Sequence, residues 1–192
     1  MLGGIFMDPY FVNLSNYFNH IIYKNIFVEN DPVLSNKAIY GLPHYINTYI
    51  IDEKNPDVNV FGESFCCASK NDIFDNVVCD GQTIMIDEHD FKSVMFLGFC
   101  EMGTVCDTVK LYDGNNNNQI PLILKTFHSD KFKGIDDEGK NSQCKLAFYL
   151  NGDDGQKHGV FFWKVEFDEN INVNYIELPV NCALHLMAIT LK

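Results

Sequence analysis

The chain contains no arginine: all 14 of its basic residues are lysines, set against 26 acids for a net charge of −12. With no basic stripe and no guanidinium to fork onto guanine or phosphate, nucleic acid is not an expected partner. An anionic membrane surface would repel the chain for the same reason. A neutral ligand, a cation or a basic protein remains compatible with this charge. Also missing is any apolar run near the roughly 20 residues that a membrane helix needs. The opening "MLGGIFMDPYF" lacks a basic n-region and reaches Asp8-Pro9 too soon for a secretory signal. The expected location is cytoplasmic by default, or that of a piece cut from something larger. No C-x-x-C pair occurs among the seven cysteines, and no H-x-H or H-x-x-x-H among the six histidines. Zinc-type spacing is therefore absent. G-x-S-x-G, the P-loop and G-x-G-x-x-G are absent too.

What is present is apolar and aromatic. Of 192 residues 46% are hydrophobic and 14% aromatic, which is enough for one domain with an ample core. A charged fraction of 21% alongside that apolar content argues against disorder. The expected organisation is an N-terminal extension over 1–9 and a single domain over 10–192. The odd number of cysteines, Cys66, Cys67, Cys79, Cys100, Cys106, Cys144 and Cys182, reads as reduced, buried thiols acting as small hydrophobes.

Short segments rich in Val, Ile, Phe and Tyr recur between Gly, Asn and Asp clusters, the pattern of strands joined by turns. "TVCDTVKLYDG" (104–114) puts Val105, Asp107, Val109 and Leu111 on one parity and Cys106, Thr108, Lys110 and Tyr112 on the other. "DGNNNN" (113–118) then turns, and "QIPLILKTF" (119–127) returns as a hairpin arm. "GVFFWKVEFD" (159–168) aligns Phe161, Trp163, Val165 and Phe167. Its other parity, Val160, Phe162, Lys164 and Glu166, reads as half solvated. Further strand-like runs are 58–69, 82–86, 93–100, 172–179 and 182–192. Only "NLSNYFNHIIYKN" (13–25) has helical spacing, through Leu14, Tyr17, Phe18 and Ile21, and predicts a short helix or irregular segment. Strands at this spacing predict an all-β, antiparallel β-sandwich of jelly-roll type. In "FDNVVCDGQTIMI" (74–86), Asp80-Gly81 reads as a bend between two strands, with glycine supplying positive φ.

Chemistry is harder to read. Cys79 lies inside "NVVCD" beside a carboxylate that would raise its pKa, which argues against a nucleophile. His185 in "ALHLMAI" reads as a satisfied core or edge histidine. Acids cluster at 51–53, 87–90, 136–138, 153–154 and 168–169. All but the first lie in turn-like sequence, where solvated acids or a structural calcium are expected, although no EF-hand pattern exists. A pair of carboxylates facing across a cleft would support a glycosidase or lyase. Sugar recognition needs exposed aromatic planes beside amides and acids. The loops "YDGNNNNQ" (112–119) and "YLNGDDGQKHG" (149–159) offer that mixture through Tyr112, Asn115, Asn116, Asn151, Asp153 and His158. Trp163, the only tryptophan, shares the apolar parity of its strand and reads first as core, second as a binding platform.

The order of these segments resembles the galactose-binding-like β-sandwich domains attached to many bacterial glycoside hydrolases. "FVNLSNYFNH" (11–20) stands where that family has V-D-L-S-x-Y-x-N, followed by "GLPHY" (41–45) and "FGESF" (61–65). "DNVVCDGQTIMI" (75–86) matches D-N-V-x-x-x-G-Q-T-I, "SVMFLGFC" (93–100) the next strand, and "VKLYDG" (109–114) the V-x-Y-x-D-G hairpin. "IELPVNCALHLMAITL" (176–191) matches the ending. The chain departs from the family in having "KTFHSD" (125–130) where a tryptophan is common, and in carrying no hydrolase. The resemblance implies a non-catalytic, carbohydrate-binding module, and no cofactor is expected beyond the structural calcium that the acidic loops would suit. Loops at one end of the sandwich would then meet a neutral glycan or glycoconjugate, with two strand edges or a concave sheet face as alternative places. The alternatives are a self-assembling surface or coat protein and, third, a carboxylate-dependent glycosidase or lyase.

Overall fold

A computed structural model describes residues 8–20, 22, 57–68, 74–127, 144–151 and 157–192. Ten strands follow in order: β1 (Tyr10–Phe11), β2 (Asp57–Val60), β3 (Glu63–Cys66), β4 (Val77–Asp80) and β5 (Thr83–Cys100). Then come β6 (Thr104–Asp113), β7 (Asn116–Lys125), β8 (Lys145–Asn151), β9 (Lys157–Glu177) and β10 (Val180–Leu191). All pairings between these strands are antiparallel, and the all-β fold class is as the alternating pattern predicts.

Two long strands build both layers. Residues 93–98 of β5 pair with 161–166 of β9, and 83–91 of β5 pair with 171–177, with register shifts where the strands bend. The first-named halves join β10, β4, β1 and β8; the second halves join β6 and β7. Hydrogen bonding is thus continuous through one eight-stranded sheet that folds over on itself. Contacts across the interior mark the two layers. The Trp163 indole N–H donates to the Pro121 carbonyl at 2.7 Å, and the Asn181 amide donates to Asp107 Oδ2 at 2.8 Å. A Cβ at Gly98 would stand 3.2 Å from Leu124 Cδ1. Val94, Phe96, Val109, Leu111, Leu122, Leu124 and Ile176 fill the space between, all buried.

The Asp80-Gly81 bend is confirmed and has a larger role than a simple turn. It carries the chain from β4 in one layer to β5 in the other, with Gly81 at φ 72. Beside it, 178–179 carry β9 back across to β10. The two crossings bond each other: Gly81 N donates to Pro179 O at 3.1 Å and Leu178 N to Gln82 O at 2.9 Å.

Two expectations need correction and a third is narrowed. Over its described residues, 13–20 and 22, the segment expected as a short helix or irregular stretch takes the irregular form, a single turn with Tyr17 N and Phe18 N both donating to Leu14 O, and no helix occurs among the described residues. Asn19 and His20 then bond along β4 instead of continuing the turn. The parity of Phe162 is not half solvated at that residue. The β2–β3 hairpin lies over it, with Phe65 and Phe61 edge-on to the Phe162 ring and Thr190 donating to Ser64 O. Glu63 on this hairpin accepts from Lys192 Nζ at 2.9 Å and Lys164 Nζ at 3.1 Å. Burial would raise its carboxyl, but the two lysines win and hold it below the usual range. Lastly, Cys106 and Cys182 are exposed rather than buried.

Candidate functional site

The hairpin of β6 and β7 closes with two residues, Gly114 and Asn115, and its register sets an outward row of side chains. Because Leu111 and Ile176 point inward, Lys110, Tyr112, Tyr175 and Glu177 point out. Tyr112 is paired with Tyr175 on β9 and with Asn117 on β7; Lys110 is paired with Glu177 and Gln119. The two tyrosine rings stack at 4.3 Å and 13°. Glu177 accepts from Lys110 Nζ at 2.6 Å and from the Tyr112 hydroxyl at 3.1 Å. These bonds lower the Glu177 carboxyl and raise the Lys110 ammonium. Partial burial, followed by the Glu177 bond, raises the Tyr112 phenol. The face is charge-balanced at its centre, with a carboxylate, an ammonium, two phenols and two exposed amides. Exposed Met85 on β5 continues the row beyond Tyr175.

The predicted loop residues are not brought together. Tyr112, Asn115 and Asn116 sit at the tip of the β6–β7 hairpin. The end of β8 at Asn151, paired with Lys157, lies at the opposite end of the sandwich, since Gly159 N donates to Phe127 O just past the far end of β7. The ten residues of β7 separate the two by about 30 Å. Asp153 falls outside the described residues. His158 and Trp163 cannot meet a ligand from solvent. His158 is 1% exposed and stacked on Phe127 at 4.4 Å; Trp163 is 2% exposed with its indole N–H bonded inside. Trp163 is core, the first of the two readings of its parity. Tyr175, Lys110 and Glu177 share this face without being among the expected ligand residues. The available signal was the alternation of "YIE" (175–177) about an apolar Ile176.

Cys79 is fully buried, and burial with Asp107 nearby pushes its thiol far above the usual range, which disfavours the thiolate that a nucleophile needs. Of the acid clusters, 51–53, 136–138 and 153–154 lie outside the described residues. Among those described, no group of three His, Cys, Asp or Glu is placed to hold a metal. A cavity of about 370 Å³ is lined by Asp8, Pro9, Tyr10, Asp90, Phe91, Leu191 and Lys192, and contains none of the predicted ligand residues.

A second polar group is wholly internal. His185 on β10 stacks on Phe99 at 4.7 Å, and its Nδ1 lies 2.9 Å from Asn76 Oδ1. Its Nε2 lies 3.2 Å from Glu101 Oε1. His20 stands edge-on to His185 at 4.7 Å with Nδ1 against the Asn76 amide. Burial drives His185 down to about 3; burial and then His185 drive His20 down to about 4, against weaker opposing pulls from Glu101 and Asn76. Both rings are therefore neutral near pH 7. His185 is the satisfied core histidine that its apolar surroundings in the sequence suggest.

An antiparallel sandwich that, among the described residues, leaves an aromatic and amide-bearing face open defines a β-sandwich domain. The AziU2-like beta-sandwich domain family matches residues 35–192, and the chain belongs to that family. The match supports the sandwich and carries no mark of the galactose-binding-like type. β1 precedes the matched range, yet it pairs with β10 through Tyr10↔Leu191 and Phe11↔Thr190. A search of curated proteins gave no match.

Proposed function

We propose that this protein is a non-catalytic recognition module for a neutral glycan, and that the ligand lies on the outward face of β6, β7 and the second half of β9. The galactose-binding-like resemblance belongs to this reading. One observation carries it: the stacked Tyr112–Tyr175 pair, flanked by Asn117 and Gln119 and balanced by Lys110 against Glu177. Phenol rings offer apolar planes to the C–H face of a sugar, while amides donate to and accept from its hydroxyls and the carboxylate accepts from them. On a chain of net charge −12, a locally balanced face favours an uncharged ligand over a cation or an anion. The site has thereby moved from loops to a sheet face, keeping Tyr112, with Asn115 and Asn116 at its rim.

The test is a panel of neutral oligosaccharides read by chemical-shift perturbation on the full chain. Shifts should cluster at Tyr112, Asn117, Gln119 and Tyr175, and Tyr112→Ala should weaken binding at least tenfold while Asn151→Ala leaves it unchanged. Silence across varied neutral glycans, or binding that survives Tyr112→Ala, would remove the proposal. Large ordered particles in light scattering would turn the reading toward self-assembly.

A further inference from the structure

The two edges of the open layer are managed differently. At the β7 edge Pro121 has no N–H to offer, and its carbonyl is taken by the Trp163 indole at 2.7 Å, so that edge is broken in its middle. The other edge is the first part of β5. Residues 83–91 pair with β9 on one side, and β10 joins β5 only from Val94 onward. Among the described residues, no strand therefore lies on the second side of 83–87. Side chains of the N-terminal segment meet its amides instead: Met85 N donates to the Tyr17 hydroxyl at 3.4 Å and Asp87 N to the Tyr10 hydroxyl at 3.1 Å. That segment is anchored elsewhere. β1 pairs with β10, Val12 N donates to Ile189 O, and Asn19 bonds Val78 through both its amide nitrogen and its oxygen. It lies over the β5 edge as a strap, and at 3.4 Å its central bond is a weak one.

We propose that 83–87 is a pairing edge for a second copy of this chain, and that the strap guards it. Thr83, Met85 and Asp87 share a parity, so their N–H and C=O groups all point toward this edge. The segment reads T-I-M-I-D and is complementary to itself when two copies meet antiparallel about a two-fold axis at Met85. Met85 then faces Met85, Ile84 faces Ile86, and Thr83 faces Asp87, so each outward N–H and C=O meets an outward partner. The side chains suit this register. Met85, 67% exposed, gains an apolar neighbour, while Ile84 and Ile86, buried in one copy, continue the interior into the next. Each Asp87 faces a threonine, so like charges are not set directly opposite. The contact is isologous and closes at two copies, which gives a dimer rather than growing particles. A charge of −12 on each copy opposes the contact, so salt strengthens it. The inference stands on backbone and register, independently of the glycan reading.

Sedimentation of the full chain carrying Tyr10→Phe and Tyr17→Phe, compared with the unaltered protein, tests it. Both rings stay and both hydroxyl caps go. The variant should form a dimer at concentrations where the unaltered protein is a monomer, and more of it as salt is raised. Met85→Lys added to that variant should abolish the dimer, because two ammonium groups then meet at the axis. Amide exchange reads the guard directly. In the monomer, the Met85 amide should exchange on the order of fivefold to tenfold faster in Tyr17→Phe. Where the double variant does not fold, Tyr17→Phe alone is judged by the same readings. A variant that stays monomeric across salt and concentration, or a dimer that survives Met85→Lys, overturns the proposal. So does a Met85 amide whose exchange is unmoved by Tyr17→Phe.

Discussion

The two halves of β9 share one strand and live in different surroundings. From His158 to Trp163 every residue is buried; from Lys164 to Glu177 buried and open positions mix, and Tyr175 and Glu177 look outward. The first half is covered on one side by the facing layer and on the other by the β2–β3 hairpin. Among the described residues, the second half has a covered side and an open one. A strand closed on both sides serves stability, while a strand with an open side has room for recognition. The internal histidines belong to the closed layer, and the tyrosine pair to the open one.

The comparison breaks most visibly at Phe162. Phe162→Ala should remove about 3–5 kcal/mol, because Phe65 and Phe61 lose the ring they stand against and the layer cannot collapse around it. Phe167→Ala, beyond the covered stretch and only half-buried, should lose well under half of that. Denaturant midpoints of the two variants check the contrast; equal losses would mean that the halves do not differ. Gly98→Ala tests the closed layer from inside. A Cβ there would fall 2.1 Å from the His185 carbonyl oxygen, a backbone atom with little room to retreat. The expected cost is about 3 kcal/mol or more, since overpacking against backbone is relieved only by moving a strand.

Acid should act on the closed layer next. His20 and His185 are held down to about 4 and about 3, whereas the unfolded rings take protons near pH 6.5. Below that value the unfolded chain binds protons that the folded one refuses, so stability is full above pH 6.5 and falls as pH drops toward 4. The two histidines together set a loss on the order of a few kcal/mol. Denaturant midpoints at pH 7, 6 and 5 should decline in order. A flat or rising series would show that these rings are open to water.

The same contrast explains what could be read without coordinates. Strict alternation in 104–111 tells inside from outside correctly, because one side of that strand meets water and the pattern records it. The Asp80-Gly81 bend was legible because a positive φ at a tight turn selects glycine. Phe162 and Lys164 share a parity that looks amphipathic, and nothing local says that a hairpin 100 residues earlier covers the first of them. Helical spacing from Leu14 to Phe18 does not continue past one turn, since bonds between Asn19, His20 and residues 76–78 outweigh a marginal helix. Of the candidate ligand residues, hairpin-tip positions were legible as turn chemistry. Their distance from Asn151 at the end of β8 depends on how β9 crosses the sandwich, a property of the fold rather than of any local stretch.

The smallest effect is expected at the open half, and it separates recognition from stability there. Lys110 and Glu177 form an exposed pair whose charges are screened by water and salt, and such pairs stabilise folds little. Lys110→Gln should leave the melting temperature within a degree or so of the unaltered protein. Its influence should fall instead on the Tyr112 hydroxyl, which shares the Glu177 carboxylate with the ammonium. Without Lys110, Glu177 is freer to turn toward Tyr112 or toward a ligand hydroxyl. Glycan affinity should therefore change by a few-fold while the fold does not. A drop in melting temperature as large as that of Phe167→Ala would place the open half in the service of stability after all, and the contrast between the two halves of β9 would be lost.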